Sequence, residues 1–272
     1  MHLVPLVFYA AAAAAYLTHF AWRDPRAGRL STALLGGGIL AHTFLIGMQT
    51  VSVGHAPLVG TTAAVSAFVW LLGLSYLYME LTTDERAMGV FVAPILVVLY
   101  IIPALDPTVS PRPPLLQSPL FTVHIVSMLF AYASFALAFV LGLTYVLLFN
   151  EIKAKHLGFF YARLPSLQAL DAMNARVVTV GWLFLTLGIA IGGLWATQIQ
   201  SSSDPRAQAM GIGDPKILAA LLCWGIYSFA LFARRVIGWS GRRSAWLSAI
   251  AFVIVLLNFV PVGYFFTKSH NF

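Results

Sequence analysis

The sequence predicts an all-α, polytopic membrane protein, a bundle of about eight transmembrane helices. Two features of its composition predict this fold class: 60% of the 272 residues are hydrophobic, and only 9% are charged. The third observation is that the apolar residues form runs of about twenty, the length a helix needs to cross a bilayer. A soluble domain carries about 25% charged residues, so this composition excludes a soluble domain. No internal repeat divides the chain, and we expect one membrane domain over residues 1–272.

Eight apolar runs follow one another, separated by more polar connections. The first run comes directly after the N-terminus with no basic segment ahead of it, and its length is that of a span rather than of a signal peptide. Proline lies inside the fourth and eighth runs, where it predicts a kink or a helix contact. The predicted spans cover residues 3–22, 31–50, 63–82, 88–105, 121–149, 176–196, 217–233 and 244–266.

The basic residues are distributed unevenly between the connections. Twelve of the sixteen Lys and Arg residues lie after the first, third, fifth and seventh spans. The other connections and both termini carry the remaining four. The positive-inside rule places the basic set in the cytoplasm, so we expect both termini on the periplasmic side. The net charge of +7 reflects this sidedness and does not indicate a nucleic-acid partner.

Cysteine content and motifs limit the chemistry. Cys223 is the single cysteine, so the chain offers no internal disulfide, no C-x-x-C dithiol and no C-x-x-C-H haem attachment site. The sequence also lacks the G-x-x-x-x-G-K-[ST] loop of nucleotide hydrolases. We therefore do not expect a self-sufficient enzyme.

Two histidines from distant parts of the chain are expected at the same membrane surface. His124 lies about one turn into the fifth span from its outer end, and His270, third from the end of the chain, follows the eighth span. Two neutral imidazoles can supply both axial ligands of a haem iron. The alternative is that His124 only caps a helix end and that His270 is an ordinary terminal residue. Sequence spacing does not decide whether the two rings face each other.

Three further residues have a functional and a structural interpretation. His42 lies inside the second span, where an ionisable group is a functional hypothesis by default, or else a neutral imidazole bonded to a neighbouring helix. His55 lies in the loop "VSVGHAPLVG" and can be an ordinary loop residue. Asp214 belongs to an Asp-Pro step, which starts turns.

Four stretches occur in a specific order along the chain. They read "GHAPLVGTTAAVSAFVW", "LPSLQALDAMNARVVTVGWLFLTLGIAIGGLWA", "GDPKILAALLCWGIYSFALFARRVIGWSGRRSAWL" and "NFVPVGYFFTKSHNF". Together they resemble the CcsA/HemX-type cytochrome c assembly proteins, part of the wider haem-handling family that includes CcmC. The resemblance covers almost the whole chain.

The resemblance implies a haem-binding outer surface. His124 and His270 would flank a tryptophan-rich loop and act as metal ligands to a b-type haem, held non-covalently for delivery to apocytochrome c. The candidate haem-binding residues are His124, His270, His42, His55, Asp214 and Trp195. The implied partners are haem, membrane lipid, apocytochrome c and a partner membrane protein of the cytochrome c maturation system. The implied location is a bacterial inner membrane, and a role as a subunit of a haem lyase or synthase stays open.

The chain departs from the family pattern at two places. Gly211 and Gly213 occupy positions where the family has tryptophan, and Phe232 corresponds to a transmembrane histidine of full-length synthases. These departures favour a second interpretation, a HemX-like membrane regulator or stabiliser of haem biosynthesis without catalysis. A third, a secondary transporter of another solute, is disfavoured because the carboxylates lie near span ends or in connections.

Overall fold

The computed structural model describes residues 1–109, 116–155, 158–199 and 214–257. Within these ranges the chain is all-helical and contains no strand, which confirms the predicted fold class. The eight α-helices are α1 Leu3–Trp22, α2 Pro25–Val53, α3 Thr61–Thr83, α4 Gly89–Leu105, α5 Pro119–Lys153, α6 Leu167–Ile199, α7 Pro215–Phe232 and α8 Arg242–Leu257. A short π-helical turn, Ala233–Ile237, continues α7.

Each predicted span overlaps one helix. Six helices (α1, α2, α3, α5, α6 and α7) are long and apolar enough to cross a membrane. Helix α4 is shorter, with 17 residues, and α8 has 16 described residues. Helix α6 begins at Leu167, well before the predicted boundary at residue 176, because the amphipathic segment ahead of the apolar run is also helical. The end of the eighth predicted span lies outside the described residues.

Three helices begin with the same local motif, a polar N-cap residue followed by proline. The side chains of Asp24, Ser118 and Asp214 each accept a hydrogen bond from the backbone N–H two residues further on, at 2.8, 3.3 and 2.8 Å. Proline suits the first helical position because its fixed φ is already helical and its missing N–H would have no partner there. These short sequences therefore set the starts of α2, α5 and α7.

Helix α5 lies at the centre of the bundle and packs most extensively against α6. Glycines make this approach close. A Cβ atom on Gly181 would lie 2.5 Å from the ring of Phe135, and one on Gly188 would lie 2.7 Å from the sulfur of Met128. Small residues at a helix interface allow the backbones to approach closely in membranes.

Helix α8 packs on another face of α5, antiparallel to it. A Cβ atom on Gly142 would lie 2.7 Å from the carbonyl oxygen of Ala245, and the rings of Phe139 and Phe252 lie 5.3 Å apart. One long helix thus supports both α6 and α8.

Helices α1 to α3 enclose a buried carboxyl group. Glu80 is 1% exposed and accepts hydrogen bonds from the hydroxyls of Tyr16 and Thr32, each at 2.5 Å. A polar group in this environment is costly without partners. The three residues come from three different helices, so the carboxyl group fixes how α1, α2 and α3 pack.

The connections gather at two ends of the bundle. At one end, Val59 of the α2–α3 connection packs with Phe121 of α5 and Trp195 of α6. We call this the His124 end, because that histidine lies one turn inside it. Which side of the membrane this end faces stays a prediction.

The opposite end, the arginine end, carries the basic connections. There, Arg86 and Arg163 line one pocket with His19. Arg234 forms a two-pronged ion pair with Asp171, at 2.9 and 2.8 Å. The backbone N–H of Gly241 donates to the same carboxylate at 2.9 Å, so this contact ties α6 to both sides of the α7–α8 connection.

Removing the Tyr16 hydroxyl should destabilise the protein. We expect Tyr16→Phe to lower the free energy of unfolding by about 1–2 kcal/mol, because the buried Glu80 carboxyl loses a donor. Tyr78→Phe is the matched control, since Tyr78 lies on the same helix as Glu80 and is 71% exposed. The measurement is unfolding of the purified protein in detergent, and equal stabilities of the two variants would contradict the assigned role of Glu80.

Candidate functional site

A backbone carbonyl of α6 orients the imidazole of His124. Its Nδ1 lies 2.7 Å from the carbonyl oxygen of Gly188. A carbonyl oxygen only accepts, so Nδ1 must carry the hydrogen and donate it. In the neutral ring the lone pair then lies on Nε2, the nitrogen that can ligate a metal. Metal-binding histidines in proteins almost always have their other ring nitrogen bonded in this way, so His124 suits an iron ligand.

Glycine makes this position of the ring possible. A Cβ atom on Gly192 would lie 2.6 Å from Nδ1 of His124, closer than non-bonded atoms tolerate. Gly188, one turn earlier, supplies the accepting carbonyl. The sequence interpretation missed both glycines. The G-x-x-x-G spacing in "GIAIG", directly before Trp195, is the signal that could have identified them.

An aromatic cluster surrounds the histidine. The indole of Trp195 lies nearly parallel to the His124 ring, with centroids 6.4 Å apart, and contacts Phe121 at 5.1 Å. Trp195 is 3% exposed, and its indole N–H finds no hydrogen-bond acceptor among the described residues. Buried donors are rarely left unpaired, because the lost hydrogen bond to water costs about 1–3 kcal/mol. This end of the bundle therefore offers apolar packing, a directed imidazole and a hydrogen-bond donor.

The second predicted ligand is His270. His270 lies outside the described residues, as do Gly211 and Gly213. The pairing of His124 with His270 thus stays a prediction. In the described ranges no group of three His, Cys, Asp or Glu residues is placed to hold a metal ion.

His42 is fully buried and bonded at both ring nitrogens. Its Nδ1 lies 3.1 Å from the Tyr9 hydroxyl and its Nε2 lies 2.9 Å from the Ser66 hydroxyl, while the Tyr100 ring packs against it at 4.6 Å. This geometry matches the structural alternative, an imidazole that joins neighbouring helices. It links α2 to α1 and α3.

His55 and Asp214 both lie at the His124 end. Nδ1 of His55 is 3.1 Å from the Ala56 carbonyl oxygen, in the connection whose Val59 packs near Trp195. Asp214 is 7% exposed and caps α7 through the N–H of Lys216, so helix capping accounts for the Asp-Pro-Lys sequence.

Phe232, which the resemblance predicts to correspond to a transmembrane histidine of full-length synthases, is the last residue of α7. Its side chain is 51% exposed. This position adds no polar group to the bundle.

Comparisons with known proteins agree with the predicted resemblance. The family model described as "Cytochrome C assembly protein" matches residues 58–270. The cytochrome c biogenesis protein CcsA of Guillardia theta is 25% identical over 250 residues, which cover 85% of this chain and 81% of that protein. CcsA of Parasynechococcus marenigrum (strain WH8102) is 25% identical over 246 residues, covering 80% of this chain and 78% of the relative.

The fold is also similar to that of a solved structure, the cytochrome c heme lyase CcmF. The TM-score is 0.67 at 16% sequence identity, and the match covers 96% of this chain but 46% of the CcmF chain. At this identity the similarity concerns the fold alone. The family model spans well over half of the residues, and the chain therefore belongs to the cytochrome c assembly protein family.

Proposed function

We propose that the protein handles haem during cytochrome c maturation, holding it at the non-cytoplasmic face of the membrane for delivery to an apocytochrome c. Family membership and the CcsA relatives support the maturation role. The observation that carries the haem proposal is the hydrogen bond from His124 to the Gly188 carbonyl, which directs Nε2 as a ligand atom.

The residues around His124 fit a porphyrin. Phe121 and Trp195 offer apolar and aromatic contact, and the Trp195 N–H can donate to a carboxylate such as a haem propionate. Haem, as cargo, would bring an iron that accepts a nitrogen lone pair. In this proposal His55 is a further contact at the same end, while His42 and Asp214 serve the helix packing and the cap described above.

The direction of α8 supports His270 as the second axial ligand. Gly142 lies opposite Ala245, and Phe139 lies opposite Phe252, in antiparallel helices, so α8 runs towards the His124 end. The span predicted from the sequence ends at residue 266, and His270 comes four residues later.

The protein would act with a partner in a bacterial inner membrane. The CcmF chain is about twice as long as the part that matches this fold. In this proposal a separate membrane protein completes the assembly and presents the apocytochrome. The chain's single cysteine, Cys223, is buried, so the thiols that receive haem must belong to the apocytochrome.

Removal of either predicted axial ligand should weaken haem binding. Wild-type protein from haem-replete cells is expected to show the Soret band of low-spin haem, and His124→Ala and His270→Ala should each bind haem at least tenfold more weakly because one axial ligand is lost. His19→Ala, at the arginine end, is the control and should keep the wild-type spectrum. A colourless wild type that takes up no haem on titration would favour the HemX-like regulator.

Crowding the His124 ring should weaken haem binding without removing a ligand. Gly192→Ala places a methyl group against Nδ1 of His124, and we expect haem affinity to fall by about 10–100-fold, as for other changes in groups that orient a ligand. Gly193→Ala is the matched control, because a Cβ there meets no atom within 4 Å. Absorbance titration with hemin measures both affinities. Equal affinities in the two variants would contradict the role of the Gly188 carbonyl and of the close approach.

The proposed sidedness can be tested by cysteine labelling in a Cys223→Ser background. Thr108→Cys, in the α4–α5 connection at the His124 end, should react in intact spheroplasts with a maleimide that does not cross membranes. Arg29→Cys, at the arginine end, should react only after lysis, because the positive-inside rule places it in the cytoplasm. The opposite pattern would place His124 on the cytoplasmic side and refute outer-face delivery.

A further inference from the structure

A polar pocket lies at the arginine end, away from the His124 site. Its volume is about 290 Å³, and it lies between the end of α1, the α3–α4 connection and the α5–α6 connection. The charged and titratable side chains that line it are His19, Arg23, Asp84, Glu85, Arg86 and Arg163. None of the residues that the haem proposal uses lines this pocket.

Arg163 is held in the pocket by neutral groups. Its Nη2 and Nε donate to the carbonyl oxygen of Ala21 at 3.0 and 3.3 Å, near the end of α1. Its guanidinium carbon lies 4.1 Å from the centre of the Phe159 ring. These contacts fix the orientation of the guanidinium and leave its charge in place, since it forms no ion pair with the carboxylates of the described ranges.

Arg23 supplies a second cation. Its side chain is exposed and forms no hydrogen bond or ion pair with any residue that the structure describes. Its backbone is left-handed, with φ of 57°, an unfavourable conformation for a residue other than glycine. Asp84, with φ of 55°, is the second left-handed residue in the lining. Both residues are C-caps, of α1 and α3, where a left-handed residue commonly ends the helix.

The acidic residues of the pocket neutralise the charges of these two arginines only weakly. Asp84 pairs with Arg86 at 2.9 Å, and its side chain is 83% exposed. Burial, and secondly the nearby Asp84, raise the pKa of Glu85 above its usual range, which makes its charged form less favourable. Arg23 and Arg163 therefore remain as the cations without an acidic partner.

Exposed aromatic residues indicate the depth of the pocket in the membrane. Trp22 is 76% exposed, Phe159 is 51% exposed and Tyr161 is 48% exposed. All three are close in sequence to the arginines that line the pocket. Tryptophan and tyrosine are enriched at the boundary between hydrocarbon and water, so the pocket lies at the level of the lipid headgroups.

We propose that this pocket binds the phosphate of an anionic phospholipid headgroup through Arg23 and Arg163. Basic pockets between transmembrane helices are suited to such headgroups, and a fixed guanidinium binds phosphate through charge-assisted hydrogen bonds. The site is independent of haem, and its failure would leave the proposed function unchanged.

The test is a lipid titration of the full-length protein in detergent micelles. Native mass spectrometry measures the fraction of protein that carries one bound phosphatidylglycerol. Zwitterionic phosphatidylcholine is the comparison lipid, and inorganic phosphate is added as a competitor to distinguish a lipid from a free anion. Arg23→Gln and Arg163→Gln are the test variants. Arg29→Gln is the matched control, with the same loss of charge at an exposed position of the same end outside the pocket.

Each pocket variant should bind phosphatidylglycerol about fivefold more weakly than wild type, since a basic residue contributes about one kcal/mol to anionic lipid binding. Arg29→Gln and the affinity for phosphatidylcholine should be unchanged. Equal affinities in Arg23→Gln and Arg29→Gln would overturn the proposal, as would displacement of the lipid by an equal concentration of inorganic phosphate. Arg23→Gln decides the matter if Arg163→Gln, which also loses the contact with α1, does not fold.

Discussion

The close approach of α5 and α6 is the contact on which the site depends. Without side chains at Gly188 and Gly192, the α6 backbone lies near enough to α5 for its carbonyl to accept a hydrogen bond from His124. Association of helices inside a bilayer gains little from the hydrophobic effect, because lipid is as apolar as the side chains. Close packing therefore stabilises the helix pair instead. Here it also places the Gly188 carbonyl beside His124, so that Nδ1 of the imidazole carries the hydrogen.

Polar groups inside the bundle pair with polar groups of other helices. The Glu80 carboxyl accepts from hydroxyls of α1 and α2, and both ring nitrogens of His42 lie beside hydroxyls of α1 and α3. Such pairs are specific in geometry and thus define the arrangement of the first three helices, whose apolar surfaces would pack in many ways.

The fold could be predicted from the sequence because span length and charge asymmetry are properties of local segments. The sixth predicted span begins at residue 176, whereas α6 begins at Leu167. The amphipathic segment ahead of the span contains no apolar run, so span length could not predict that it is helical. The sequence predicts His124 as a ligand, and this stays a prediction, whereas the Gly188 carbonyl was missed because the composition does not show which backbone acceptor of another helix a side chain will face. The cap at Asp214 was foreseen only as a turn. For His42 the pattern allowed two interpretations, and it could not show that Tyr9 and Ser66 are the hydrogen-bond partners of the ring.

The start of α5 has a consequence for biosynthesis. The Ser118 cap and the proline after it set the first turn of that helix from adjacent residues alone. His124 lies five residues beyond Pro119, or about 8 Å along the axis. Because this segment precedes α6 in the chain, the distance of His124 from the first turn of α5 does not depend on α6, whereas the hydrogen bond to the Gly188 carbonyl can form only after α6 has been synthesised.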